Sequence, residues 1–156
     1  GRLIINLEKL YLSLKKLGLK NDKIDKYYSL SHSLGIVPKN LNKLQNKLFG
    51  IECNFEELNG IDFKKGCYIG QENTARIKLK NKLSKRLLPV KIINGSLLEN
   101  ESILNNDIEI GKILINENYP FALIKFLDDN FNINKIFKCK NGSLKILIPQ
   151  WLNLKH

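Results

Sequence analysis

Near the start of the chain, apolar residues recur at helical spacing. In the later half they gather instead into short runs separated by Asn, Asp and Gly. Leu7, Leu10, Tyr11, Leu14 and Leu17 fall on one side of a helix, and Gly18 ends the run. A second helix is predicted from Asp22 to Leu34, with Ile24, Tyr27, Tyr28, Leu30 and Leu34 as its apolar stripe. Gly35 stops it and Pro38 prevents a restart. Arg2 to Asn6 reads as a strand entering this lobe. Residues 39–63 are irregular, with brief apolar pieces at Leu41–Phe49 and Phe55–Leu58.

After Arg86 the texture changes. Leu87–Ile93, Ile108–Ile115, Phe121–Leu127, Ile133–Cys139 and Leu144–Ile148 are β-branched or aromatic runs. Asn94-Gly95, Asn116–Asn118, Asp128–Asn130 and Asn141-Gly142 punctuate them as turns. Five or six short strands at this spacing predict a small antiparallel barrel. The fold class is therefore α+β. A helical and irregular lobe (1–76) leads through a basic linker (77–86) into a C-terminal barrel (87–156), with no internal repeat.

Charge and cysteine content change this picture little. The net charge of +11 is carried almost entirely by Lys, with Arg only at positions 2, 76 and 86. Duplex readers favour clustered Arg with interleaved aromatics, so the spread lysines do not by themselves imply nucleic acid. The densest run, Lys78 to Arg86, reads either as an anion contact or as a solvated linker face. No stretch approaches the ~20 apolar residues that span a bilayer, so no membrane is expected. The chain has no Met and starts at Gly1, which reads as a fragment or a processed product. Cys53, Cys67 and Cys139 have no metal-ligand spacing, and His32 and His156 stand alone. Unpaired thiols point to a reducing compartment, cytosol or organelle matrix, and the expected location is cytoplasmic. Cys53 and Cys139 lie among apolar residues and read as small buried hydrophobes.

Cys67 is different. It stands in Lys64-Lys65-Gly66-Cys67-Tyr68-Ile69-Gly70-Gln71-Glu72-Asn73-Thr74-Ala75-Arg76, beside two lysines, between two glycines and before a short helical stretch. Positive charge and a helix N-terminus favour the thiolate, so Cys67 is a candidate nucleophile or soft ligand. A tight turn with a half-buried cysteine is the plainer alternative. Gly66 and Gly70 would allow a tight turn and close backbone approach to a ligand. Glu72 in the first helical turn suits the dipole, and Arg76 one turn later suits an ion pair with it; ligand contact is the competing role for both.

Lys65-Gly66-Cys67-Tyr68-x-Gly70-Gln71-Glu72-x-x-Ala75-Arg76 resembles the signature of the YgfZ family of folate-binding proteins. These are relatives of the glycine-cleavage T-protein that act in iron–sulfur cluster assembly or repair, and bacterial members are often labelled tRNA-modifying. Leu30 to Pro38 resembles the family's helix ending in Leu-Gly-Ile-Pro. Glu52-Cys53-Asn54 and Leu58-Asn59-Gly60-Ile61-Asp62-Phe63 resemble its Glu-x-Asn and Leu-x-Gly-Ile-x-Phe lead-in. The likeness runs over residues 25–156. It departs at Ser31, Gly50 and Asn81, where the family carries Arg, Pro and Gly.

The resemblance implies tetrahydrofolate or a related folate as cofactor, in a site that is incomplete in the partial folate-binding lobe seen here. Glu52, Asn54, Tyr68, Gln71, Glu72, Arg76, Lys65, Gly66 and Gly70 are its candidate contacts, and Cys67 is the functional thiol. No resident metal is implied, since one thiol cannot hold a cluster that takes four ligands; a transient contact of Cys67 with a cluster is the most it allows. The implied partners are the iron–sulfur assembly machinery or its clients, together with the N-terminal half or another chain. Asn54 has a second reading as the cap of a short helix at Phe55–Leu58. Tyr68 either packs under the loop or stacks on a pterin, and His32 is expected to be half-buried or exposed without a partner. The expected function is a folate-dependent accessory factor. A folate-dependent aminomethyltransferase of the T-protein class and a tRNA-binding module are the alternatives.

Overall fold

The computed structural model describes residues 6–20, 22–37, 39–66, 69, 71–79, 84–126 and 132–152. Among these residues three α-helices, with a 3-10 turn at Leu41–Leu44 between the second and third, precede six strands: α1 (Leu7–Lys16), α2 (Ile24–Ser33) and α3 (Gln71–Leu79), then β1 (Lys85–Gly95), β2 (Ser102–Asn105), β3 (Ile108–Ile115), β4 (Phe121–Lys125), β5 (Ile136–Cys139) and β6 (Gly142–Ile146). The strands close into an antiparallel barrel in the order β1-β4-β3-β2-β5-β6. The α+β class with a small C-terminal barrel is thus what the chain adopts. The strand expected at Arg2–Asn6 falls on residues outside those described, except Asn6. That residue is the N-cap of α1, its side-chain oxygen accepting from the Glu8 and Lys9 amides.

α1 and α2 follow their apolar spacing, and a Gly in the left-handed region follows each: Gly18 at φ 65° and Gly35 at φ 71°. α2 begins two residues later than Asp22, which instead accepts from the Lys23 amide and pairs with Lys26. None of the α1 stripe is buried, and Leu7 and Leu17 are more than two-thirds exposed (78% and 71%).

The barrel interior is filled by the inward set of each strand, including Leu88, Val90, Ile103, Ile110, Ile124, Phe137, Leu144 and Ile146. Full burial of one such side chain contributes about 1.5–3 kcal/mol, so this cluster dominates the stability of the C-terminal half. The unpredicted strand is β2. It is only four residues long, and its signal lies in the turn that follows: Asn106 and Asp107 (φ 48° and 65°) join Asn105 to its partner Ile108. Positive φ at both central residues is the requirement of a type I′ hairpin, which Asn and Asp tolerate.

β1 serves two neighbours in turn. Lys85–Pro89 pairs with β4, and Val90–Gly95 pairs with β6 across a bulge between Ile92 and Asn94. Pro89, which has no N–H, stands where the strand changes partner, the position a sheet tolerates. The residues predicted as linker are helix through Leu79 and strand from Lys85; 80–83 lie outside those described.

The lobe packs on one outer wall of the barrel. Leu44, Cys53, Leu87, Leu114, Ile115 and Phe121 form a second core there, joined by Val37, Leu48 and Phe55. α2 is anchored to the same side. His32 donates from Nε2 to the Pro120 carbonyl (2.9 Å) and meets the Phe121 ring edge-on at 5.1 Å. Trp151 Nε1 donates to the Leu34 carbonyl (2.8 Å), and a Cβ on Gly35 would lie 2.8 Å from Pro149 Cγ. His32 therefore has partners that local sequence could not show, because they come from 88 residues away.

Two outcomes follow. Gly35→Ala both strains a left-handed residue and collides with Pro149, so urea unfolding should show a loss of about 1–3 kcal/mol. Burial holds the His32 pKa below its ordinary 6.5. The unfolded chain then binds the proton more readily, so stability falls as pH drops through 6.5 towards the lower folded value. Unfolding midpoints between pH 7.5 and 5, a window set by the ordinary histidine pKa of about 6.5, should drop less for His32→Gln than for the unaltered chain.

Candidate functional site

The signature region is built from the turn-rich segment 49–66, the helix α3 and the first residues of β1. Phe55–Leu58, expected as a short helix, is a series of turns. Asn54 does not cap it. It adopts a left-handed backbone (φ 63°), which Asn tolerates better than most residues. Its side chain is fully buried.

Both ends of the Asn54 amide are taken. Nδ2 donates to the Leu87 carbonyl at 2.7 Å, and Oδ1 accepts from Arg86 Nη1 at 3.2 Å. Leu87 in turn donates its amide to the Glu52 carbonyl at 2.8 Å. The Glu52 carboxylate folds back to accept from the Phe49 amide at 2.9 Å. Arg86 also pairs with Glu57 at 2.5 Å, and Glu57 Oε2 is buried with no partner among the described residues. In this structure Glu52 and Asn54 thus join the lobe to the barrel.

α3 is tied back to the same turns. Lys78 pairs with Glu56 and lies 4.8 Å from the centre of the Phe63 ring. Two cations of the basic run, Lys78 and Arg86, are therefore neutralised within the fold. The Glu72–Arg76 ion pair suggested by their spacing does not form: both side chains are exposed and they make no ion pair with each other. An exposed i,i+4 pair contributes only about 0.3–0.5 kcal/mol, too little to order two long side chains.

The rest of the signature is placed as follows. Gln71 opens α3, Glu72 lies in its first turn and Arg76 in its last, as expected. Lys65 and Gly66 are exposed, and a Cβ on Gly66 would meet nothing within 4 Å among the described residues. Cys67, Tyr68 and Gly70 lie outside the described residues. Ile69 between them is fully exposed.

The other two thiols are inert by environment. Burial pushes both Cys53 and Cys139 up to about 11, with Glu52 and Glu101 respectively adding to the effect. At neutral pH they are protonated and poor nucleophiles, as their apolar surroundings implied. Among the described residues no group of three or more His, Cys, Asp or Glu side chains could hold a metal ion. No helix among them is long and apolar enough to cross a membrane.

Sequence reasoning also missed a polar seam between α2 and the β3–β4 loop. Asp25, Lys39, Asn40, Ile115, Glu117, Asn118 and Tyr119 line a cleft of about 60 Å³. Its groups are already engaged. Glu117 takes Lys43 at 3.0 Å and Asn40 at 2.5 Å, and Tyr119 donates to the Asp25 carbonyl at 3.2 Å. The seam joins lobe to barrel and presents no nucleophile.

Asn54→Ala leaves the Leu87 carbonyl and the Arg86 guanidinium without their partner. It should lower stability by about 1–3 kcal/mol in urea titration. If Asn54 served a ligand alone, the variant would unfold at the same midpoint as the unaltered chain.

No family model matches the chain. Individual proteins do. The mitochondrial iron–sulfur cluster assembly factor IBA57 homologue of Dictyostelium discoideum is 31% identical over 108 residues, 69% of this chain and 26% of that protein. The IBA57 homologues of Aspergillus oryzae and Neurospora crassa are 39% and 40% identical over 61 and 63 residues, 39% and 40% of this chain and 14% of each of those proteins. The chain is thus similar, over 39–69% of its own length and 14–26% of theirs, to proteins named as mitochondrial iron–sulfur cluster assembly factors.

Proposed function

We infer that this chain is part of an iron–sulfur cluster assembly or repair factor of the YgfZ and IBA57 kind, with Cys67 as its working thiol. The observation that carries this reading is the 31% identity over 108 residues to a protein named for that task. The signature around Cys67 supports it. So does a fold in which the helix at the end of that signature precedes a small barrel. The relatives are mitochondrial by name, and a reducing organelle matrix or the cytosol keeps such a thiol reduced.

The chemistry assigned to Cys67 is modest. Its sulfur, as thiolate, gives one soft ligand, and a cluster takes four. The cluster is therefore cargo that Cys67 touches while other ligands come from a donor or client protein. Lys64 and Lys65 beside it favour the ionised sulfur. Glu72 and Arg76, exposed on α3, are charged groups available for orienting a partner.

The folate part of the reading fits the described residues poorly. Asn54 is fully buried with its amide committed at both ends, and one Glu52 carboxylate oxygen is held by the Phe49 amide. We therefore retain folate only as the ligand that the family likeness suggests, and give no step to it. Aminomethyl transfer, which needs that ligand, drops behind the assembly role for the same reason.

Cys67→Ala, carried in the protein as the cell makes it and expressed in a strain lacking its own factor, should leave cluster-dependent enzymes as inactive as in the strain without the gene. The unfolding midpoint of the variant should match that of the unaltered protein. Full restoration of those enzymes by the Ala variant would remove the thiol from the proposal.

A further inference from the structure

The barrel has two unlike outer walls. The β1–β4–β3 wall is covered by the lobe through Leu87, Phe121 and Leu114. Among the described residues the β1–β6–β5 wall has no such cover. The burial of β1 records the change, with Leu87 to Val90 buried and every residue from Lys91 to Gly95 exposed.

On the open wall, Lys91 stands directly opposite Lys145, and Lys145 directly opposite Ile136. One row along, Lys138 faces Ser143, which faces Asn94 beside the bulge residue Ile93. Lys91, Lys138 and Lys145 are all exposed, as are Ile93 (47%) and Ile136 (59%). β1, β5 and β6 contain no acidic residue. None of these three lysines is in an ion pair among the described residues. The Glu101 carboxylate accepts from the Asn141 and Leu98 amides.

The opposite side of the same barrel shows what a merely structural solution looks like. Lys125 on β4 is met at 2.8 Å by Glu109 on the adjacent β3. Like charges placed directly across a strand pair are destabilising, so the Lys91–Lys145 pairing opposes folding slightly. An external anion would relieve it.

We propose that the β1–β6–β5 wall is a docking surface for an acidic protein segment whose carboxylates meet Lys91, Lys145 and Lys138 and whose apolar side chains cover Ile93 and Ile136. Charge complementarity selects the sign of the partner. The two isoleucines select its class. A phosphodiester backbone has nothing to place on them, and among its described residues the wall offers neither the aromatic platforms nor the free Arg of a single-strand binder. None of its residues belongs to the Cys67 signature, so the surface stands or falls independently of the iron–sulfur reading.

The test uses the whole chain and a labelled peptide in which Glu and Leu recur at helical spacing. The peptide should bind, more weakly as salt rises, and Lys91→Glu with Lys145→Glu should weaken it about ten-fold. The double variant should unfold at the same temperature as the unaltered chain or a higher one. If it does not fold, Lys91→Gln with Lys145→Gln serves in its place. Ile136→Ser should also weaken the peptide, whereas Lys9→Glu with Lys16→Glu on the exposed face of α1 should not. Absence of peptide binding, or binding indifferent to the Lys91 and Lys145 changes, would overturn the proposal. So would preferential binding of oligouridylate or phosphatidylserine vesicles at equal salt.

Discussion

The architecture turns on the free edge of β1. Its first half pairs with β4 on one side only, because β6 joins from Val90 onward. An unpaired strand edge inside a folded protein leaves N–H and C=O groups without partners, which costs stability and invites wrong pairings. Residues 52–54 remove the problem. The Glu52 carbonyl takes the Leu87 amide, and the Asn54 side chain reaches the Leu87 carbonyl. A side-chain amide here does the work of a neighbouring strand, and the left-handed backbone at Asn54 is the local strain that allows it.

Much else depends on that clamp. It fixes the segment 49–63 against β1, which brings Cys53 and Phe55 onto Leu87 and Phe121 and completes the second core. Arg86, next to Leu87, is held by both Asn54 and Glu57, so the ion pairs of the region are organised around the same hydrogen bonds. α3 hangs from this unit through Lys78 and Glu56. The same clamp helps to close one wall of the barrel.

Legibility in the sequence varied with the range of the interactions involved. β3 was readable to the residue because Ile108–Ile115 carries five Ile or Leu residues between turn residues. β2 was not, since four residues with a single fully buried Ile carry no periodicity. Its turn, Asn106-Asp107, was the available signal. The helices α1 and α2 were legible from spacing, yet spacing said nothing of the Pro120 carbonyl that receives His32. Glu72 and Arg76 show the opposite failure, a local rule that predicts an ion pair the exposed helix has little reason to hold. Asn54 was readable as a polar residue with a task, but a ligand contact and a cap were the only tasks that neighbours in sequence could suggest.

The sequence by itself determined the elements whose causes are local: helices with a Gly after each, apolar strands with Asn-rich turns, and a thiol set among lysines and glycines. It also contained the family likeness, because a signature is a string of residues whatever their positions in space. Only the tertiary structure decided which groups meet across long separations. It turned Asn54 and Glu52 into a clamp, buried Cys53 and Cys139 beyond reactivity, neutralised Lys78 and Arg86, and set Lys91 opposite Lys145. The physical reason is the same in each case. Burial, pairing and strand register depend on which distant backbone comes alongside, and no window of neighbouring residues contains that information.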